Sequence, residues 1–253
     1  MLFAIDVGNT NVKFGIHDGQ QWTHVWRVQT VADRMADEYA AYFRQFFEDS
    51  GLDIAQLKSS VVSSVVPKLT PGMIQLAERY VPRKPVVLQY GVNLGINIRT
   101  DFPHQVGADL IADAVAAYDH FKTDCIVVDF GTATKFIAIN AQGDFLGVAI
   151  SAGLHATVDS LVSKAAKLPY VDLVPPPSVI GRNTIHSMQA GLVVGYVAMT
   201  EGLIDRVKAE LGDAKVVATG GLVSLIAPLT NRFDVVDPYL TLEGLRLVAE
   251  RNT

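Results

Sequence analysis

The chain has few cysteines and no clustered positive charge. These two absences exclude several kinds of metal site and binding partner. Its 253 residues include one cysteine, Cys125, which excludes an internal disulfide and a multi-cysteine metal site. The six histidines are scattered, without the helical spacing of a zinc site. The net charge is −5 and no basic cluster is present. We therefore expect no affinity for nucleic acid or for anionic membranes, because both depend on clustered Lys and Arg.

Long apolar runs are also missing. The longest strongly apolar stretch, residues 190–199, is about half of what spanning a bilayer requires. The start of the chain has no basic segment, and Asp6 comes too early for a signal peptide. These features predict a cytoplasmic protein without membrane segments. The 49% apolar content is enough for substantial cores, and the apolar neighbours of Cys125 predict that it is a buried small side chain.

The chain repeats one pattern at about half its length. Ile5-Asp6-Val7-Gly8 and Val128-Asp129-Phe130-Gly131 each end a predicted strand with an acid and a glycine turn, 123 residues apart. Chance is the alternative, since strand, acid and glycine turn is a common sequence. Read as a repeat, the pattern predicts an α/β fold of two ribonuclease H-like domains, as in actin-like ATPases, facing a central cleft. We expect domains at residues 1–118 and 119–253, with a hinge helix at about 107–120.

Hydrophobic periodicity and turn residues predict the remaining elements. The glycine pair Gly191 and Gly195, one turn apart on a long predicted helix, suggests close helix packing. The segment Pro175-Pro176-Pro177 predicts a loop. The predicted strands are residues 2–7, 12–16, 22–28, 59–66, 85–88, 125–130, 135–139 and 216–218, and the predicted helices are residues 35–47, 71–80, 107–120, 184–211 and 242–251.

The first repeated turn has the residues that phosphoryl transfer needs. That chemistry requires amides around phosphate oxygens, carboxylates that hold a metal, and a positioned acceptor. Gly8 lets the backbone of the following Asn9, Thr10 and Asn11 approach phosphates closely. Asp6, at the end of a buried strand, is placed to bind Mg²⁺ directly or through water. The alternative is an ordinary hairpin with an asparagine-rich turn.

The second turn would complete such a site. Thr132 is placed to reach a phosphate and Asp129 to reach a cation. Thr219-Gly220-Gly221, after a short apolar strand, would let a nucleotide base pack against bare backbone. A glycine pair after a strand is usually only a turn, which is the alternative here.

Asp109 is the candidate proton acceptor. It follows Gly107-Ala108 and falls in the first turn of a predicted helix, where the macrodipole favours the ionised carboxylate. Such a carboxylate, facing a cleft, can take a proton from a hydroxyl group. The alternative is that Asp109 only stabilises the N-terminus of the helix. Asp113, one turn later, is the competing candidate for the base.

Seven motifs in order resemble the signature of type III pantothenate kinases. The match spans the whole chain, and its order is more specific than any single motif. The motifs are Asp6-Val7-Gly8-Asn9-Thr10-Asn11, Ser63-Ser64-Val65-Val66-Pro67, Val106-Gly107-Ala108-Asp109, Val128-Asp129-Phe130-Gly131-Thr132-Ala133-Thr134, Ala166-Lys167-Leu168-Pro169, Ile180-Gly181-Arg182-Asn183-Thr184 and Ala218-Thr219-Gly220-Gly221.

The resemblance implies phosphorylation of pantothenate by ATP, the first step towards coenzyme A, in a homodimer. It implies Mg²⁺ at Asp6, a monovalent cation (K⁺ or NH₄⁺) near Asp129, and Asp109 as general base. The implied ATP site comprises Asp6, Val7, Gly8, Asn9, Thr10, Asn11, Val12, Lys13 and Thr132, and the implied pantothenate site comprises Thr100, Gly107, Ala108, Asp109, Leu110 and Thr184.

The chain departs from the family pattern mainly on the side of the acceptor. Leu110 stands where the family usually has arginine, and Thr100 where it usually has tyrosine. A leucine cannot supply the fork that arginine offers a carboxylate. Two alternatives therefore stay open, namely a weak or inactive homologue with a regulatory ligand-binding role, and a kinase for another small alcohol. The other departures are Asn93, Leu94, Ala152 and Ala165.

Overall fold

The computed structural model describes all 253 residues, which form two compact units. The first unit contains residues Met1–Ala116 together with Leu240–Thr253, and the second contains Ala117–Tyr239. This division differs from the predicted one at the end of the chain, because the last helix belongs to the first unit. No helix in the structure combines the length and the apolar character needed to cross a bilayer.

The first unit is built on a five-stranded sheet in the order β3-β2-β1-β4-β5. Its central strand β1 is antiparallel to β2 and parallel to β4, and all six of its residues are buried. The predicted opening meander is thus confirmed. The strands are β1 Leu2–Val7, β2 Asn11–His17, β3 Trp22–Gln29, β4 Ser59–Ser64 and β5 Val86–Val87, and a short strand β6, Asn97–Ile98, follows in the chain.

Helices cover both faces of this sheet. On one face, Phe3 and Phe14 pack with Phe43 and Phe47. The helix that carries Phe43 and Phe47 ends at Gly51, whose positive φ of 66° suits a glycine C-cap. The helices of the first unit are α1 Ala36–Ser50, α2 Thr70–Tyr80, the start of α3 Ala108–Phe121, and the C-terminal helix, which is α8 Leu240–Arg251 in chain order.

The C-terminal helix packs on the other face of the first sheet. Leu242, Leu245 and Val248 share an apolar cluster with Ala4 and Val61 of the central strands. Gly244 permits this packing, because a Cβ there would overlap the backbone of α3 at the carbonyl group of Ala112. The predicted second domain wrongly included this helix, since sequence distance does not reveal which core an amphipathic helix covers.

The second unit repeats the strand arrangement of the first. Its strands follow the order β11-β10-β7-β8-β9, with β7 antiparallel to β8 and parallel to β10. The strands are β7 Cys125–Phe130, β8 Ala133–Ile139, β9 Asp144–Ala152, β10 Lys215–Thr219 and β11 Val235–Val236, and the helices are α4 Leu154–Lys164, α5 Thr184–Gln189, α6 Gly195–Leu211 and α7 Val223–Ile226.

The long predicted helix at residues 184–211 is present but not uniform. A π-helical segment, Ala190–Val194, separates α5 from α6. Gly191 and Gly195 are exposed, and a Cβ on Gly191 would meet nothing within 4 Å. The predicted close packing of these glycines is therefore absent within the chain. Cys125 is fully buried as predicted, and desolvation, with a smaller contribution from Asp124, raises the pKa of its thiol to about 12.

Candidate active site

Asp6 lies at the carboxyl end of β1 and is 5% exposed. Its Oδ1 accepts a hydrogen bond of 3.2 Å from the Ser63 hydroxyl group on the parallel strand β4. Its Oδ2 lies 3.4 Å from the Lys13 ammonium, which comes from the directly opposed residue of β2. One hydroxyl group and one loosely held ammonium therefore orient this carboxylate at the sheet edge where the phosphate-binding turn was predicted.

The turn after Asp6 is tight and open to solvent. The Gly8 amide donates to the Asn11 carbonyl group at 3.0 Å, and a Cβ on Gly8 would lie only 3.2 Å from that oxygen. Thr30 fixes the turn from outside, because its hydroxyl group donates to the Gly8 carbonyl oxygen at 2.7 Å. Asn9, Thr10 and Asn11 are exposed, so the polar groups of the turn are accessible from solvent.

Asp109 lies in the first turn of α3, as predicted, and is half-buried. Its Oδ1 accepts a 2.9 Å hydrogen bond from the Leu110 amide. Gly107 approaches Val65, which directly follows β4, with 3.7 Å between the Val65 Cγ1 atom and a Cβ built on the glycine. The start of α3 therefore lies at the carboxyl ends of β4 and its neighbour β1, the edge that carries Asp6.

Asp113, the competing base, has a different environment. It is completely buried, and its Oδ1 accepts a 2.8 Å hydrogen bond from the hydroxyl group of Thr241 on α8. A base must reach a substrate hydroxyl group. Asp113 instead joins two packed helices, which leaves Asp109 as the more accessible of the two candidate bases.

In the second unit, Asp129 occupies the position equivalent to Asp6. It ends β7, and its Oδ2 accepts a 2.7 Å hydrogen bond from the Lys135 ammonium on the opposed residue of β8. Gly220 lies on its other side, where a Cβ would approach Asp129 Oδ1 to 2.6 Å. Gly220 has a φ of +97°, so both its conformation and the available space require glycine. The predicted motif Thr219-Gly220-Gly221 thus has a packing role beside Asp129.

The remaining predicted residues are distributed over both units. Thr132 follows Asp129 and is exposed on its turn. Thr184 begins α5 and lines a groove of about 690 Å³ with Arg182 and Asn183. Thr100, in the first unit, has a buried hydroxyl group that makes no hydrogen bond within the chain.

The departures from the family pattern are largely structural in this chain. The backbone amide of Asn93 donates to Asn252 Oδ1 at 3.0 Å. The Leu94 carbonyl oxygen accepts from the Arg251 guanidinium at 2.6 Å. Both contacts fasten this segment to the C-terminal helix. Leu110 is 8% exposed, so the position that usually carries arginine is filled by a buried apolar side chain.

Two residues in contact with the acids were not predicted as site residues. Ser63 belongs to a family motif to which no role is assigned, and Lys135 lies in a predicted strand that carries no site motif. The period of two along a strand places Lys13 and Lys135 opposite the acids once the hairpin register is known. The second turn is one residue shorter than the first, so Lys13 and Lys135 are not 123 residues apart as the acids are. The sequence repeat therefore does not align the two lysines.

Comparisons with known proteins agree with the motif resemblance. The family model described as type III pantothenate kinase matches residues 2–206. Proteins named type III pantothenate kinase from Geobacter sulfurreducens and Myxococcus xanthus are 46% and 48% identical, each over 100% of this chain and 99% of the relative. A third, from Moorella thermoacetica, is 48% identical over 100% of both chains.

Solved structures confirm the predicted fold class. A putative Baf family transcriptional activator from Campylobacter jejuni superposes with a TM-score of 0.61 at 18% identity, over 99% of this chain and 98% of that one. MreB 5 of Spiroplasma citri bound to AMPPNP gives a TM-score of 0.57 at 9% identity, over 98% and 96% of the two chains. Both superpositions extend over nearly the whole chain, which shows the predicted α/β fold class of actin-like ATPases.

Proposed function

The chain belongs to the type III pantothenate kinase family, and we propose that it transfers the γ-phosphoryl group of ATP to the primary alcohol of pantothenate, the first step of coenzyme A biosynthesis. One observation carries this proposal beyond family membership. The tight phosphate-binding turn, the acid Asp6 and the accessible acid Asp109 all belong to one edge of the first sheet. Phosphoryl transfer needs these three components together.

The residues around Asp6 fit ATP with Mg²⁺. Magnesium is usually held by one or two carboxylates, with phosphate and water oxygens as its other ligands. Asp6 is such a carboxylate, and Gly8 to Asn11 form the turn beside it. A bound Mg²⁺ would neutralise charge on the phosphates as the γ-phosphoryl group leaves. Lys13 would add a contact to the phosphate oxygens.

Asp109 would act on the acceptor. Its carboxylate takes the proton of the pantothenate hydroxyl group as that oxygen forms its bond to the γ-phosphorus atom, and the bond to the ADP oxygen breaks. The Leu110 amide holds the Asp109 carboxylate in place. Gly107 and Ala108 supply the backbone beside it, and Thr100 is the hydroxyl group of the first unit that we assign to pantothenate.

The residues around Asp129 do not fit a freely bound K⁺ or NH₄⁺. The carboxylate that would bind the cation already contacts the Lys135 ammonium at 2.7 Å. A second positive charge at the same oxygen would be repelled.

A homodimer is the assembly that we propose. The exposed face of the segment from α5 to α6 carries Gly191, Gly195 and Ala198, which are exposed and small. Val179 and Ile180 are 66% and 80% exposed beside it. Small residues permit two helices to approach closely, and apolar neighbours favour burial. Sedimentation equilibrium should give twice the 27.4 kDa mass of the chain.

The test of this function is a comparison of two acids on one helix. Asp109→Asn should lower kcat for pantothenate-dependent ADP release by about two to four orders of magnitude, because general-base catalysis is worth that much. ATP affinity, measured by calorimetry, should hardly change. The matched control is Asp113→Asn, which should lower the melting temperature while retaining most of kcat per folded molecule. Undiminished turnover by Asp109→Asn would refute the assignment of the base.

A further inference from the structure

Three features of the contact between Lys135 and Asp129 indicate a preformed site in which the ammonium is the cation. The ammonium lies 2.7 Å from Asp129 Oδ2, and the two side chains are 17% and 12% exposed. The residues are direct neighbours across the antiparallel strands β7 and β8, so the backbone fixes the lysine beside the acid. Gly220 closes the opposite side of the carboxylate. Solvent screens such a pair much less than it screens a surface ion pair.

Other lysine–aspartate pairs in the chain lack this combination. Lys215 and Asp234 are 2.9 Å apart in the same unit, but their side chains are 53% and 33% exposed. The pair Lys13 and Asp6 is less exposed but longer, at 3.4 Å. Among these pairs, only Lys135 combines contact distance with low exposure, and it contacts the acid at which the family resemblance implies a monovalent cation.

A lysine ammonium can substitute for K⁺ or NH₄⁺ at a carboxylate. It carries the same charge and has three hydrogen-bond donors. Because it is tethered through β8, its local concentration does not depend on the salt in solution. We propose that the Lys135 ammonium permanently occupies the cation position of Asp129, so that phosphoryl transfer by this chain proceeds without added K⁺ or NH₄⁺. The part concerning turnover rests on the proposed function, whereas the part concerning cation binding does not.

The first experiment measures binding without activity. Melting temperatures are recorded in choline chloride and in KCl at equal ionic strength, for the wild type, Lys135→Met and the control Lys215→Met. Methionine keeps most of the apolar stem of lysine and removes the charge. KCl should raise the melting temperature of Lys135→Met only, because the Asp129 carboxylate no longer contacts an ammonium there and can bind the cation. A similar KCl effect on the wild type, or no effect on any of the three, would overturn the proposal.

The second experiment measures pantothenate-dependent ADP release in the same salts. The wild type and Lys215→Met should differ by less than about twofold between choline chloride and KCl, while Lys135→Met should lose about tenfold or more in choline chloride and regain most of it in KCl or NH₄Cl. Wild-type turnover that needs K⁺ would contradict the proposal even if Lys135→Met failed to fold. Absence of turnover by the wild type in every salt would instead contradict the proposed function and leave the melting experiment to decide the binding.

Discussion

The two acidic turns have the same strand and residue pattern but hold their carboxylates differently. Asp6 accepts a hydrogen bond from a neutral hydroxyl group, and its lysine lies 3.4 Å away and is 27% exposed. Asp129 is in direct contact with its lysine at 2.7 Å. A carboxylate with a loosely held partner can exchange it for a metal ion, whereas one in direct contact with a partly buried ammonium is already neutralised. We therefore propose that the acid of the first turn binds a metal ion and that the acid of the second turn is compensated by its lysine.

The largest expected difference between the turns is in activity. Asp6→Asn should lower Mg²⁺-dependent turnover by about two orders of magnitude, since metal assistance is worth several kcal/mol. The loss of stability should be only about 1 kcal/mol, because the asparagine oxygen can still accept from Ser63 and Lys13 can reach water. Turnover as a function of Mg²⁺ concentration and the melting temperature measure the two effects. Equal losses of activity and stability would show that Asp6 mainly supports the fold.

The second difference is in stability. Asp129→Asn replaces the close ion pair with Lys135 by a neutral hydrogen bond, so we expect a loss of about 2 kcal/mol. For a unit of this size, that loss corresponds to a melting temperature lower by roughly 5–10 °C. Differential scanning calorimetry can compare this variant with Asp6→Asn. The comparison between the turns fails if Asp6→Asn is the less stable of the two.

The smallest expected effect concerns the hydroxyl group that orients Asp6. Ser63→Ala removes one buried hydrogen bond to a carboxylate, and we expect a loss of about 1 kcal/mol and a few-fold higher Mg²⁺ requirement. Ser60 is the matched control, because it lies buried on the same strand and its hydroxyl group has no hydrogen-bond partner. Ser60→Ala should be neutral or slightly stabilising. The same change in Mg²⁺ requirement in both variants would rule out orientation by Ser63.

Much of the fold could be predicted from local signals. The meander at the start of the chain follows from short apolar runs separated by turns, and the end of α1 follows from Gly51. The assignment of the C-terminal helix could not be predicted in this way. It depends on the fit of Gly244 against the backbone at Ala112, which is a contact between residues far apart in the sequence. The π-helical segment at Ala190–Val194 likewise has no signal in hydrophobic periodicity.

The acids of the candidate site could be predicted from sequence motifs, but the residues that contact these acids could not. Asp6 and Asp109 occur in motifs with a clear chemical purpose, and the structure places both at element ends as expected. The burial of Asp113 and its bond to Thr241 depend on how α8 packs, so the sequence left two possible bases. Lys135 is identified only by strand register, because its distance in sequence from Asp129 depends on the length of the turn.

Pantothenate-stimulated ADP release by the wild-type chain tests the central claim most directly. The assay supplies ATP and Mg²⁺ and compares pantothenate with other small primary alcohols, with mass spectrometry of the phosphorylated product. The account predicts that pantothenate stimulates release well above all other alcohols and is recovered as its 4′-phosphate. Stronger stimulation by a different alcohol, or no stimulation by pantothenate even at millimolar concentration, would contradict it.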